Sequence, residues 1–197
     1  MKKVAVIPAR GGSTRLKDKN IHPLGDKPLI RWMTEAVVES ESFDSIIIST
    51  DSDQIFDAVS DLPVERHERP EAHATTKATV LDAMIQLMKT CPKELMGGDD
   101  IFSYFLPTCP FVSKDDIKKG IKKLSGKNID SVISMTELQD TLQLACQMSG
   151  DKVLPVLDNL ECGLTNSKFI KKYYKPSGAF YMSKWDHLIE NRNFFKG

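Results

Sequence analysis

A repeating order of short β-branched run, turn and helical segment is what most narrows the fold of this chain. Val4 to Ala9 is a continuous apolar run closed by Arg10-Gly11-Gly12, the pattern of a strand buried on both faces that ends in a turn. From Pro28 onward, Leu29, Met33, Ala36 and Val37 fall on one face of a helix, with Pro28 acceptable at its first turn. Ser45 to Thr50 reads as a second buried strand, after which Asp51-Ser52-Asp53 offers N-cap side chains for a helix beginning near Gln54. Val80, Met84, Leu87 and Met88 mark another amphipathic helix, and Ile101 to Leu106 another strand. Ser113 to Asp116 resembles a capping box opening a helix that carries Ile117, Ile121 and Leu124, and Ser131 to Met135 is the next strand. This alternation predicts an α/β fold with a mostly parallel sheet, helices on both faces, and a ligand site at the carboxyl ends of the strands.

After Thr136 the period changes to two: Leu142, Leu144, Cys146 and Met148 alternate with Gln143, Ala145, Gln147 and Ser149. We read 138–175 as a small antiparallel excursion, a substrate lid or dimerisation insertion within one domain spanning 1–197. Gly178 to Met182 then returns as a strand.

Charge removes several functions. With 27 basic and 27 acidic side chains the net charge is zero, so no general field draws the protein onto nucleic acid or an anionic membrane. The apolar run after Lys2 and Lys3 ends at Pro8, far short of a signal segment or a membrane span, so a cytoplasmic protein is expected. The four cysteines, Cys91, Cys109, Cys146 and Cys162, form no CxxC pair and read as reduced, mostly buried thiols. The four histidines show no metal-ligand spacing.

Against that neutral background, Arg10, Arg15, Lys17 and Lys19 place four cations in ten residues just after the first strand. Gly11 and Gly12 permit positive φ, which lets successive amides converge on an anion, and Ser13 and Thr14 add hydroxyl donors. The loop is suited to a triphosphate or is a solvated turn with incidental lysines, since neither GxGxxG nor GxxxxGK[ST] is present. Asp51 ends a strand at the ligand edge, where it can approach a metal or nucleotide or simply cap a helix. Thr108 stands after the next strand, as a pocket hydroxyl or a turn residue.

IPARGGSTRLKDKNI, followed by GDKPLIRW, SIIISTD, RHERPE, FLPTCPF, DSVISM and GAFYM, resembles the cytidylyltransferases that activate nine-carbon acid sugars, the acylneuraminate family. That resemblance implies a Rossmann-like nucleotidyltransferase fold. It also implies transfer from CTP to a 2-keto-3-deoxy sugar acid of the sialic, legionaminic or pseudaminic type, with release of pyrophosphate. By position, Arg10 and Lys19 match triphosphate-binding cations, Asn20 and Arg69 match residues that hold ribose and cytosine, and Ala9, Gly11, Gly12, Ser13, Asp51 and Thr108 fall in the substrate-binding stretches. The resemblance further implies Mg2+ and a homodimer.

The chain departs from the family pattern at Thr14 and Lys17 in the first motif. It departs again at Leu106 and Val112, where glutamine and arginine are common near the sugar, and at Asn166 to Lys168 and Ser177. The Asp-x-Asp pair that holds Mg2+ in the family follows the last matched strand there, a stretch this sequence does not include; either the chain is shortened or the phosphates and remaining residues hold the metal. Two further readings follow from the residues. GGSTRL followed by KPL also resembles sugar-1-phosphate nucleotidyltransferases that use another NTP, and a chain without the metal motif can serve as a non-catalytic nucleotide-binding or interaction module.

Overall fold

The computed structural model describes residues 1–13, 16–69, 97–138, 145–156 and 172–196. Among them the elements run β1 (Lys3–Pro8), a 3-10 turn (Lys19–Ile21), β2 (Pro23–Leu24), β3 (Lys27–Pro28), α1 (Leu29–Glu39), β4 (Ser45–Thr50), α2 (Asp53–Asp57), β5 (Glu65–Glu68) and β6 (Ile101–Phe105). There follow α3 (Lys114–Leu124), β7 (Ser131–Glu137), β8 (Cys146–Ser149), β9 (Lys152–Pro155), β10 (Tyr174–Lys184) and α4 (Trp185–Asn191). The helix read at Val80 to Met88, Cys91 and Cys162 lie outside the described residues.

The chain divides into two compact units, Met1–Ser134 with Gly178–Gly197, and Met135–Ser177. The first is built on a sheet of order β5-β4-β1-β6-β10-β7. β1 lies parallel to both β4 and β6, and β4 parallel to β5, whereas β10 runs antiparallel to β6. The sheet is therefore mostly parallel, as the alternation predicts.

The continuous apolar character of β1 has a simple cause. Ala5 and Ile7 face one core with Ile30, Met33 and Val37 of α1, Ile55 of α2, and Ile117, Ile121 and Leu124 of α3. Val4 and Val6 face the other, with Phe102, Tyr104, Leu188 of α4 and Phe194. Helices thus cover both faces and β1 has no solvent side. α3 starts where expected: Ser113 accepts from the Asp116 amide while the Asp116 carboxylate accepts from the Ser113 amide.

Two details differ from expectation. Ser52 is the N-cap residue of α2, yet no side chain caps that helix, and the Asp51 carboxylate accepts from Gly11 of the first loop. The described part of the stretch between β1 and α1 also carries regular structure. It contains the 3-10 turn and the short β2–β3 pair, which reverses at Gly25 with φ of 68°.

In the second unit, β8 and β9 form an antiparallel hairpin around Gly150, with Val156 donating its amide to Ala145 at 2.9 Å and Leu138 to Tyr173 at 2.8 Å. The second unit contains the whole 138–175 segment. All four residues of β8 are exposed, so the alternation there marks no buried face. Of the two described cysteines, Cys146 is exposed and Cys109 half-buried.

Candidate functional site

The four parallel strands β1, β4, β5 and β6 end at one edge of the sheet. The residues that follow them are Ala9 to Ser13, Asp51 and Ser52, Arg69, and Leu106 to Thr108. The chain steps from β1 to β4 and β5 on one side and returns to β6 on the other side of β1. The loop after β1 thus lies at a topological switch point, where open α/β sheets bind ligands.

Its first residues are tied to the sheet. The Ala9 amide donates to the Ser49 carbonyl at 2.9 Å, and Ala9 is buried. The Gly11 amide donates to Asp51 Oδ1 at 2.7 Å, and Asn20 Nδ2 donates to the Arg10 carbonyl at 3.0 Å. Asn20 is 5% exposed, so its amide acts from within the protein. It stands in the 3-10 turn beside half-buried Lys19, after Asp18 in the left-handed region at φ 52°.

This corrects the reading of the two glycines. Neither Gly11 nor Gly12 is among the residues with positive φ. Gly11 sits in a tight place: a Cβ there would stand 3.3 Å from Ser52 Cβ and 3.7 Å from Asp51 Oδ1, whereas one at Gly12 would meet nothing within 4 Å. The amides do not simply converge on an anion either, since Gly11 donates to Asp51 and the Ser13 amide to the Gly11 carbonyl at 2.8 Å.

Arg69 extends the sheet by donating its amide to Thr50 at 3.1 Å. Its charge is felt at two neighbours. Burial pushes the Tyr104 phenol above its ordinary value, with Arg69 opposing, and burial holds His67 below the usual histidine range, with Glu68 opposing and Arg69 adding to the effect. His67 Nδ1 also lies 3.3 Å from Ser49 Oγ. Thr108 is exposed and hydrogen-bonds Cys109, whose thiol burial pushes up.

The sequence-predicted residues thus gather at one sheet edge. Sequence reasoning missed two contacts there: Ser52 packs beside Gly11, and the charge of Arg69 reaches buried Tyr104. A serine directly after the strand-ending aspartate, and a tyrosine inside an otherwise apolar strand, are the only signals that pointed to them.

No group of three or more His, Cys, Asp or Glu among the described residues is arranged to hold a metal ion. Asp51 stands at the right edge, but one of its oxygens is engaged by Gly11. The described residues therefore do not form a protein-built cage for Mg2+.

A model of the cytidylyltransferase family matches residues 4–168. The chain is 29% identical over 193 residues to the N-acylneuraminate cytidylyltransferase of Escherichia coli O18:K1:H7, covering 98% of this chain and 44% of that protein. It is 32% identical over 199 residues to the CMP-N,N'-diacetyllegionaminic acid synthase of Legionella pneumophila, with coverages of 99% and 83%. It is 25% identical over 203 residues to a pseudaminic acid cytidylyltransferase of Campylobacter jejuni, with coverages of 100% and 84%. The chain thus spans less than half of the first relative and more than four fifths of the other two. Among solved structures, CMP:2-keto-3-deoxy-manno-octonic acid synthetase complexed with CTP superposes with a TM-score of 0.69 at 16% identity, covering 100% of this chain and 80% of that one. The 4-diphosphocytidyl-2C-methyl-D-erythritol synthase of Anaerococcus prevotii gives 0.66 at 18% identity, with coverages of 100% and 79%. At those identities the likeness concerns the fold.

Proposed function

Because the chain belongs to the cytidylyltransferase family, we propose that it activates a nine-carbon 2-keto-3-deoxy sugar acid with CTP, giving the CMP-sugar and pyrophosphate. The sialic, legionaminic and pseudaminic acids named for its relatives define the substrate class. The observation that carries this reading is the loop after β1, rich in cations and anchored at the switch point by Ser49, Asp51 and Asn20.

In the proposed reaction the sugar's C2 hydroxyl attacks the α-phosphorus of CTP and releases its proton to water, and the bond between the α-phosphorus and the bridging oxygen breaks so that pyrophosphate leaves. Negative charge grows on the departing group, and cations already fixed in place stabilise it without reorganising. Arg10 and Lys19 take that role. Gly11, Gly12 and Ser13 line the phosphate path beside buried Ala9, Arg69 faces the nucleoside, Asn20 supports the loop through the Arg10 carbonyl, and Thr108 contributes a hydroxyl from the β6 side. Mg2+ belongs to this reading through the family and would arrive on the triphosphate, since that ion retains several phosphate and water ligands.

A nucleotide substrate also favours a cytoplasmic location, and no helix among the described residues is long and apolar enough to cross a membrane. The homodimer is the coarsest part of the proposal. Met148, Val153, Leu154, Val156 and Tyr174 of the second unit are exposed apolar side chains, the kind of surface a second copy would cover. Light scattering on the wild type and on Leu154→Asp tests this: a dimer that the variant dissociates supports it, and a wild-type monomer overturns it.

Thermal shift with CTP, UTP, ATP, GTP and dTTP in the presence of Mg2+ tests nucleotide choice. A ligand at ~100 times its Kd stabilises the fold by ~2.7 kcal/mol. Stabilisation by CTP above the others is expected; preference for another nucleotide would point to a sugar-1-phosphate substrate, and no shift would point to a non-catalytic module.

A further inference from the structure

The carbonyl of Arg10 and the amide of Gly11 are two ends of one peptide group. Asn20 Nδ2 holds the carbonyl end at 3.0 Å, and Asp51 Oδ1 holds the amide end at 2.7 Å. The two side chains come from different places, one from the 3-10 turn that ends the loop, the other from the end of β4, 40 residues away. Gripping both ends of a peptide group fixes its plane, and with it ψ of Arg10 and φ of Gly11. The Ala9 amide bond to Ser49 fixes the preceding residue. The backbone from which the Arg10 side chain springs is therefore held on three sides.

We propose that Asp51 and Asn20 are paired positioning residues, a clamp on the Arg10–Gly11 peptide that aims the Arg10 guanidinium at the triphosphate. Asp51 in this role acts through the backbone and not as a ligand of metal or nucleotide. The close packing at Gly11 supports this, because its hydrogen must face Ser52 Cβ for the amide to reach Asp51. Charge assistance makes the Asp51 bond the stronger end of the clamp, and burial of Asn20 makes the other end hard for water to replace.

The clamp rests on the proposed function only for its consequence, and it is testable without nucleotide. Hydrogen exchange at the Gly11 amide, followed by NMR, reads the grip directly. In Asp51→Ala that amide should exchange roughly tenfold faster, as expected for loss of a charge-assisted bond. In Asp51→Asn, whose side-chain oxygen still accepts, most protection should remain. KM for CTP should rise roughly tenfold in Asp51→Ala and stay near wild type in Asp51→Asn. Asn20→Ala combined with Asp51→Ala should cost less than the sum of the single variants, since both release one peptide. Unchanged Gly11 exchange in Asp51→Ala overturns the clamp. So does an Asp51→Asn variant as impaired as Asp51→Ala while its Gly11 amide stays protected, for then the charge itself is needed at the ligand. If the wild type fails to bind CTP, the functional reading falls and the exchange result still decides the clamp.

Discussion

Arg31 of α1 grips Asp61 with both terminal nitrogens, at 2.7 and 2.6 Å, while its Nε donates to Glu35 at 2.8 Å and one terminal nitrogen also reaches the Ala58 carbonyl at 3.3 Å. One guanidinium therefore ties α1 to the chain that follows α2. Lys27 pairs with Glu35 and stacks over Trp32, whose indole donates to the Leu24 carbonyl at 2.9 Å, which fastens the β2–β3 pair to the same helix. Lysine cannot reproduce a forked contact. Arg31→Lys should lower the urea midpoint modestly, and by less at 1 M salt, where surface pairs are screened. A midpoint unchanged at both salt concentrations would show that the fork is decorative.

Acid should weaken the start of α3. The Ser113 hydroxyl and amide, bonded to the Asp116 carboxylate, hold it below the usual aspartate range, with Lys119 adding to the effect. A carboxyl depressed in the folded state stabilises above its ordinary pKa, and that stability is lost as pH falls through the depressed value. Ser113→Ala should cost about 1 kcal/mol at pH 7. Urea titrations at pH 7 and pH 3 check the sign: the gap between wild type and variant should narrow at pH 3.

The paired glycines should separate in behaviour. Gly11→Ala forces a Cβ to within 3.3 Å of Ser52 Cβ, while Gly12→Ala enters open space. Gly11→Ala should weaken both fold stability and stabilisation by CTP, while Gly12→Ala should leave fold stability within about 0.5 kcal/mol of wild type. Thermal melts of the two variants with and without CTP distinguish them.

Arg10→Lys should also fail to replace the native residue. The clamped backbone presents a guanidinium, and a lysine on the same backbone reaches the phosphates as a point charge without the fork. CTP titration calorimetry should show Arg10→Lys weaker than wild type and Arg10→Ala weaker still; equal affinity in the lysine variant would remove the need for directed hydrogen bonds.

These outcomes also mark how far the sequence could be read. Val4 to Ile7 and Ile46 to Ile48 are unbroken apolar runs because both sheet faces are covered, so the parallel core was visible in the residue pattern. Ser113 and Asp116 announced α3 because a capping box is local. Arg10, Asp51, Arg69 and Thr108 could be placed at one edge, since each follows a strand. What sequence could not show were contacts between distant loops. Asp51 could be read as a helix cap or as a group approaching metal or nucleotide, and only the parallel pairing of β1 with β4 brings Gly11 within its reach. Gly11 likewise suggested positive φ, whereas the demand on it comes from Ser52.

The most direct test is to incubate the protein with CTP, Mg2+ and each of sialic, legionaminic and pseudaminic acid in turn, following the mixture by phosphorus NMR and mass spectrometry. The account predicts conversion of CTP to pyrophosphate and a CMP-sugar phosphodiester with at least one of the three acids, and none when UTP replaces CTP. CTP that binds but remains intact with all three, or a product formed instead from a sugar-1-phosphate, would contradict it.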